Sequence, residues 1–174
     1  MTGNRVALIR GDITTVAVDV IVNAASRRMR GGGGVDGAIH AAGGSEILSD
    51  CISHFPLGLP TGAAGWTRAG RLPARWVIHV VGPNWTVGER DRGLLESCYA
   101  NALALADHLA AASIAFPLIS AGVYGWPLAD AVDCAVEVLH RTPTQVEDIR
   151  LVAFNDEIEG LAQALLSDHS RSAT

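Results

Sequence analysis

The segment Val18-Asp19-Val20-Ile21-Val22-Asn23, followed eight residues on by Gly31-Gly32-Gly33-Gly34-Val35-Asp36-Gly37-Ala38-Ile39-His40, decides the fold class. Val18 to Val22 is a short β-branched run of strand length that reads as buried. Val35 to Ala42, closed by Gly43 and Gly44, reads as a short helix with glycine at its C-terminal end. A strand, a glycine loop and a helix in that order make half of a βαβ unit. Four consecutive glycines permit close backbone approach, and the free amides at the start of the following helix suit a phosphate group.

The same pattern repeats outward. Val6 to Ile9, Trp76 to Val81, Ile114 to Ile119 and Ile149 to Phe154 are apolar runs bounded by Gly, Pro, Asp or Asn, and they read as strands. Leu95, Cys98, Ala102, Leu105 and Leu109 step by three and four, which predicts an amphipathic helix from about Gly93 to Ala112. Leu128 to Leu139, with Pro127 at its start, and Ile158 to Leu166 predict two more. Strands alternating with helices imply an α/β fold, a mixed and mostly parallel sheet covered on both faces. In such sheets ligands gather at the carboxyl ends of the strands. Without an internal repeat or linker, residues 1–174 read as one domain with short flexible tails at about 1–4 and 167–174.

Composition narrows the chemistry. All 13 basic residues are arginine, which excludes Schiff-base catalysis, a phosphate-loop lysine and any lysine-containing catalytic pair. A net charge of −5 gives no whole-molecule attraction to nucleic acid or anionic membrane, so an anionic ligand must be held by local features. The three cysteines lie far apart in apolar contexts and read as buried thiols of a reduced, cytoplasmic chain. No metal-ligand spacing links them to the six histidines, so neither a metal nor a cofactor is expected. The longest apolar runs are only strand-length, so no membrane segment is expected.

Within the first loop, Gly32, Gly34 and Gly37 match a dinucleotide fingerprint only weakly, because the glycines do not turn straight out of the strand. Asp36 and His40, four residues apart, share a helix face near its first turn. Two readings stay open for them: an acid/base or positioning pair beside an anion site, or a histidine in an ordinary surface or core setting. Ser120-Ala121-Gly122-Val123-Tyr124-Gly125 follows the Ile114 to Ile119 strand and forms a second loop able to expose amides, with Tyr124 available to a sugar or base. Leu118 breaks the G-x-S-x-G elbow, which makes Ser120 a poor nucleophile. Gly11-Asp12-Ile13 ends another strand and offers a carboxylate to an exocyclic amine.

Taken together, the chain resembles the macrodomains, ADP-ribose-binding modules, and within them the MacroD-like hydrolases. The resemblance runs through Gly11 to Thr14, Val18 to Ala25, Gly31 to His40, Thr61-Gly62, Leu72 to Ala74, Val77 to His79, Val81 to Pro83, Ala115 to Pro117, Ile119-Ser120 and Gly122 to Gly125, in order. It implies a three-layer α/β/α sandwich. It also implies that Asp12 and Ile13 hold adenine, that Gly33, Gly34 and Val35 form one diphosphate loop, and that Ser120, Ala121, Gly122, Val123 and Tyr124 form the other. By the same resemblance Asn23 contacts the distal ribose, and Asp36 and His40 activate the water that releases ADP-ribose. Three positions depart from the pattern. Ser26 replaces a second asparagine, Pro60 and Ala63-Ala64 alter a loop, and Asn155 falls where an aromatic residue often caps adenine.

The activity so implied is an ADP-ribosyl hydrolase, without metal or covalent step, acting on ester-linked ADP-ribosylated protein. ADP-ribosylated DNA is a second substrate class, raised by the cluster Arg27, Arg28 and Arg30. Alternatives are an O-acetyl-ADP-ribose deacetylase and a reader that binds ADP-ribose without cleaving it. A monomer is the expected state.

Overall fold

Every parallel strand of this chain has to be covered on both sides, and the alternation of side chains shows how. In the computed structural model, which describes residues 3–172, six strands lie in the order β1-β6-β5-β2-β4-β3. They are β1 (Val6–Arg10), β2 (Val20–Ala25), β3 (Ala64–Arg68), β4 (Trp76–Val81), β5 (Ser113–Phe116) and β6 (Asp148–Ala153). All neighbours pair in parallel except β3, which runs antiparallel to β4 at one edge. Val20, Val22, Ile78, Val80, Ile114, Phe116, Ile149 and Leu151 point into one core, under helices α3 (Arg92–His108), α4 (Leu128–Arg141) and α5 (Asp156–Ser172). Their neighbours Ile21, Ala25, Val77, Val81, Ala115 and Val152 point the other way, under α1 (Gly34–Gly43) and α2 (Ser45–His54). The result is a three-layer α/β/α sandwich. Each fully buried Val, Ile or Leu contributes roughly 1.5–3 kcal/mol of apolar transfer to one or other layer.

Several boundaries differ from the sequence reading. Trp76 to Val81 is a strand from end to end, whereas β5 stops at Phe116 because Pro117 offers no amide to the ladder. β2 runs three residues beyond Val22, pairing Asn23 with His79 and Ala25 with Val81. The edge strand β3 and helix α2 were not expected at all. The stretch from Ser167 to Ser172 continues α5 and is not a tail. Asn4, placed in the other expected tail, donates from its side chain to the carbonyls of Leu139 and Thr142. Residues 1, 2, 173 and 174 lie outside the described residues. All three cysteines are free and buried. Among the described residues no helix is long and apolar enough to cross a membrane, and no group of three or more His, Cys, Asp or Glu side chains is placed to hold a metal ion.

Candidate functional site

The carboxyl ends of the parallel strands open into one cleft of about 760 Å³. Its lining follows the strand order. Gly11, Asp12 and Ile13 come from the end of β1, Val152 and Phe154 from β6, Pro117 to Ser120 from β5, Ala24 to Ser26 from β2, and Gly82 from β4. Gly32 to Asp36 form one wall and Gly122, Val123 and Tyr124 the other. Position in such a sheet, at the ends of strands whose connections diverge, is where α/β folds bind ligands.

The first wall is built by glycine at positions where glycine is required. Gly34 has φ 58°, in the left-handed region, and a Cβ on Gly37 would lie 2.6 Å from the Gly32 carbonyl oxygen. Gly33 and Gly34 have nothing within 4 Å of a would-be Cβ, so their backbone faces open space. Gly33 caps α1 and Gly34 opens it, with amides at the positive end of the helix dipole. The second wall is anchored from behind, where the Ile119 amide donates to the buried Tyr99 hydroxyl at 3.0 Å. Ser120 is held at φ 65°, a strained conformation for a residue with a Cβ. Its buried Oγ has no hydrogen-bond partner and lies where a Cβ on Gly82 would come within 2.3 Å.

Asp36, at the end of the first wall, is only 5% exposed. Its Oδ1 accepts from Asn23 Nδ2 at 2.8 Å and lies 3.4 Å from His40 Nε2. Its Oδ2 faces Gly32, where a Cβ would come within 3.1 Å. Asn23 is fully buried and does not line the cleft; its amide also reaches His79 Nδ1 at 3.1 Å. His40 stands behind Asp36 and does not line the cleft either. His79, inside β4, is pushed down to about 4, first by burial and then by the nearby His40, so its ring is neutral.

Other expected residues scatter. Asp12 is exposed at the mouth, where its Oδ1 takes the Thr14 amide and hydroxyl. Ser26, Val35, Val123 and Tyr124 line the cleft, whereas Ala121 packs against the larger core. Asn155 does not face the cleft. Its Oδ1 accepts from the Ile158 amide and caps α5. At this end of the cleft the aromatic residue is its neighbour Phe154, 69% exposed, although its run of apolar residues reads as a buried strand. The arginine cluster is also divided: Arg27 pairs with Glu89 and Thr61, and Arg30 is taken up by the carbonyls of Cys51, Phe55 and Pro56.

Residues 22–135 match the family model of the macro domain. The chain belongs to the macro domain family. This macro domain is 53% identical over 159 residues to a macro domain-containing protein of Streptomyces coelicolor, covering 89% of this chain and 93% of that one. It is 44% identical over 169 residues to the O-acetyl-ADP-ribose deacetylase of Escherichia coli, covering 94% and 96%. An Oceanobacillus iheyensis macrodomain mutant with ADPR superposes with a TM-score of 0.89 at 37% identity, covering 98% of each chain. A Trypanosoma brucei macrodomain in complex with ADP-ribose superposes with a TM-score of 0.83 at 38% identity, covering 92% of this macro domain and 68% of the other.

Proposed function

We propose that this macro domain binds ADP-ribose along the cleft and hydrolyses ADP-ribose esters, releasing ADP-ribose from modified protein. The observation that carries the reading is the Asp36 carboxylate, buried in the glycine wall of the cleft with Oδ1 tied to Asn23 and Oδ2 beside Gly32. Adenine lies at the β1/β6 end, its amine on Asp12 and its face on Phe154. The diphosphate takes the amides of Gly33, Gly34 and Val35 on one side and those of Gly122 and Val123 on the other, which explains how a chain of net charge −5 holds an anion without lysine. The distal ribose reaches Ser26 and Tyr124 at the β2/β4 end. There Asp36 accepts a proton from a water as it attacks the anomeric carbon. The bond from that carbon to the ester oxygen breaks, and the acyl group leaves as a carboxylate.

A second reading is deacylation of O-acetyl-ADP-ribose, where the same water attacks the ester carbonyl; the relatives that carry that enzyme name favour it. Incubation with ester-linked ADP-ribosylated protein, O-acetyl-ADP-ribose and ADP-ribosylated DNA, with free ADP-ribose measured for each, separates the readings. Release from protein is expected. Micromolar ADP-ribose binding without release from any of the three would make the chain a reader.

The adenine assignment has its own test. Stacking of a base on an aromatic side chain is worth about 1–3 kcal/mol, so Phe154→Ala is expected to weaken ADP-ribose binding about tenfold by calorimetry. Asn155→Ala is expected to leave affinity unchanged and to lower stability by about 1 kcal/mol through loss of the α5 cap.

A further inference from the structure

A row of buried polar side chains lies under α1 and α2, on the strand faces where Ile21, Val77 and Val81 supply apolar packing. Asn23, Thr67 and His79 are all fully buried. Their hydrogen bonds fit one direction, with the Cys51 Sγ a further, longer neighbour of His79 Nε2 at 3.8 Å. The Arg68 carbonyl can only accept, so the Thr67 hydroxyl donates to it at 3.0 Å. Thr67 Oγ1 can then only accept from His79 Nε2 at 2.9 Å, which places the single ring proton on Nε2. Nδ1 is left as an acceptor. Asn23 must turn its NH₂ toward the ring at 3.1 Å, and the second N–H of that same group reaches Asp36 Oδ1 at 2.8 Å. Were the Asn23 amide reversed, its oxygen would face both the His79 lone pair and the Asp36 carboxylate. Asn23 Oδ1, buried without a hydrogen-bond partner, marks what this orientation costs.

We infer that Thr67 and His79 are positioning residues which, through Asn23, fix the rotamer of Asp36 so that Oδ1 is tied down and Oδ2 stays beside Gly32 in the cleft wall. The inference rests on the hydrolase reading above for its effect on turnover, but the direction of the row can be read without substrate. Nitrogen-15 NMR of the full chain is expected to show His79 as the neutral Nε2–H tautomer at neutral pH. Thr67→Val keeps the shape and removes the acceptor. It is expected to lower kcat on ester-linked ADP-ribosylated protein about tenfold to a hundredfold, the cost of a misplaced catalytic group, with KM and the ADP-ribose Kd unchanged. Thr67→Ser is expected to restore kcat. His79→Gln, whose amide no longer dictates which way Asn23 points, is expected to show the same split between kcat and Kd and serves if Thr67→Val does not fold. An Nδ1–H or charged His79 ring overturns the inference. So does unchanged kcat in both variants, or kcat falling while Kd rises, without rescue by serine. A wild-type chain that binds ADP-ribose and releases none overturns the hydrolase reading instead, and the His79 tautomer still decides the direction of the row.

Discussion

Asp36→Asn is expected to reduce release of ADP-ribose from modified protein by about 10²–10⁴-fold, the usual contribution of a positioned acid/base group. That is about 3–5 kcal/mol of lost transition-state stabilisation. The substitution keeps the volume and leaves an oxygen able to accept from Asn23 Nδ2, so the wall of the cleft retains its shape. It removes the negative charge that can take a proton from water. Affinity should move the other way. Asp36 lies in the first turn of α1, close to the amides proposed for the diphosphate, so losing its charge removes a repulsion. The expected result is a collapsed kcat with an ADP-ribose Kd equal to or tighter than wild type, measured by chromatographic assay of free ADP-ribose and by calorimetry. Full turnover in Asp36→Asn would remove Asp36 from the mechanism.

Much of this arrangement was legible because the central strands are covered on both faces and are therefore largely apolar. Trp76 to Val81 stands out in the sequence for that reason, with His79 as the single polar residue in an otherwise apolar run. β3 escaped notice because an edge strand alternates exposure: Trp66 and Arg68 face solvent, and Gly65 adds no apolar side chain. Helix α2 is rich in polar residues and buries Asp50, which is held low chiefly by its hydrogen bond to Arg68 from β3. Neither element declares itself without the other. At the site, the glycine walls were readable because glycine has a backbone meaning of its own. Phe154 was not, since a side chain's face at a strand end turns with every residue, and a shift of one position exchanges cleft for helix cap. The direction of Asn23 was likewise hidden. It depends on β2 pairing with β4 to bring His79 alongside, a contact 56 residues away in sequence.

Acid is expected to unfold this domain through His79. Its folded-state value is depressed to about 4, chiefly by burial, while an exposed histidine titrates near 6.5. Between those limits the unfolded chain binds a proton that the folded chain refuses, so stability rises with pH across the window and falls as pH drops through it. Below about 4 both states are protonated and the contribution is gone. The span corresponds to a loss on the order of 3 kcal/mol, a large part of a typical domain's 5–15 kcal/mol. The groups facing the ring do not offset it. His40 opposes a second positive charge, Asp36 favours one only weakly, and the Cys51 thiol, pushed up to about 11 mainly by burial, is neutral throughout. Paired carboxylates held low in the folded state, Asp50 and Glu89, add acid sensitivity of the same sign at lower pH. His79→Gln separates the terms, because glutamine does not titrate. Urea unfolding at pH 7, 6, 5 and 4 is expected to show wild type losing its margin over the variant by about 3 kcal/mol, and parallel curves would show that His79 is not the group that acid reaches.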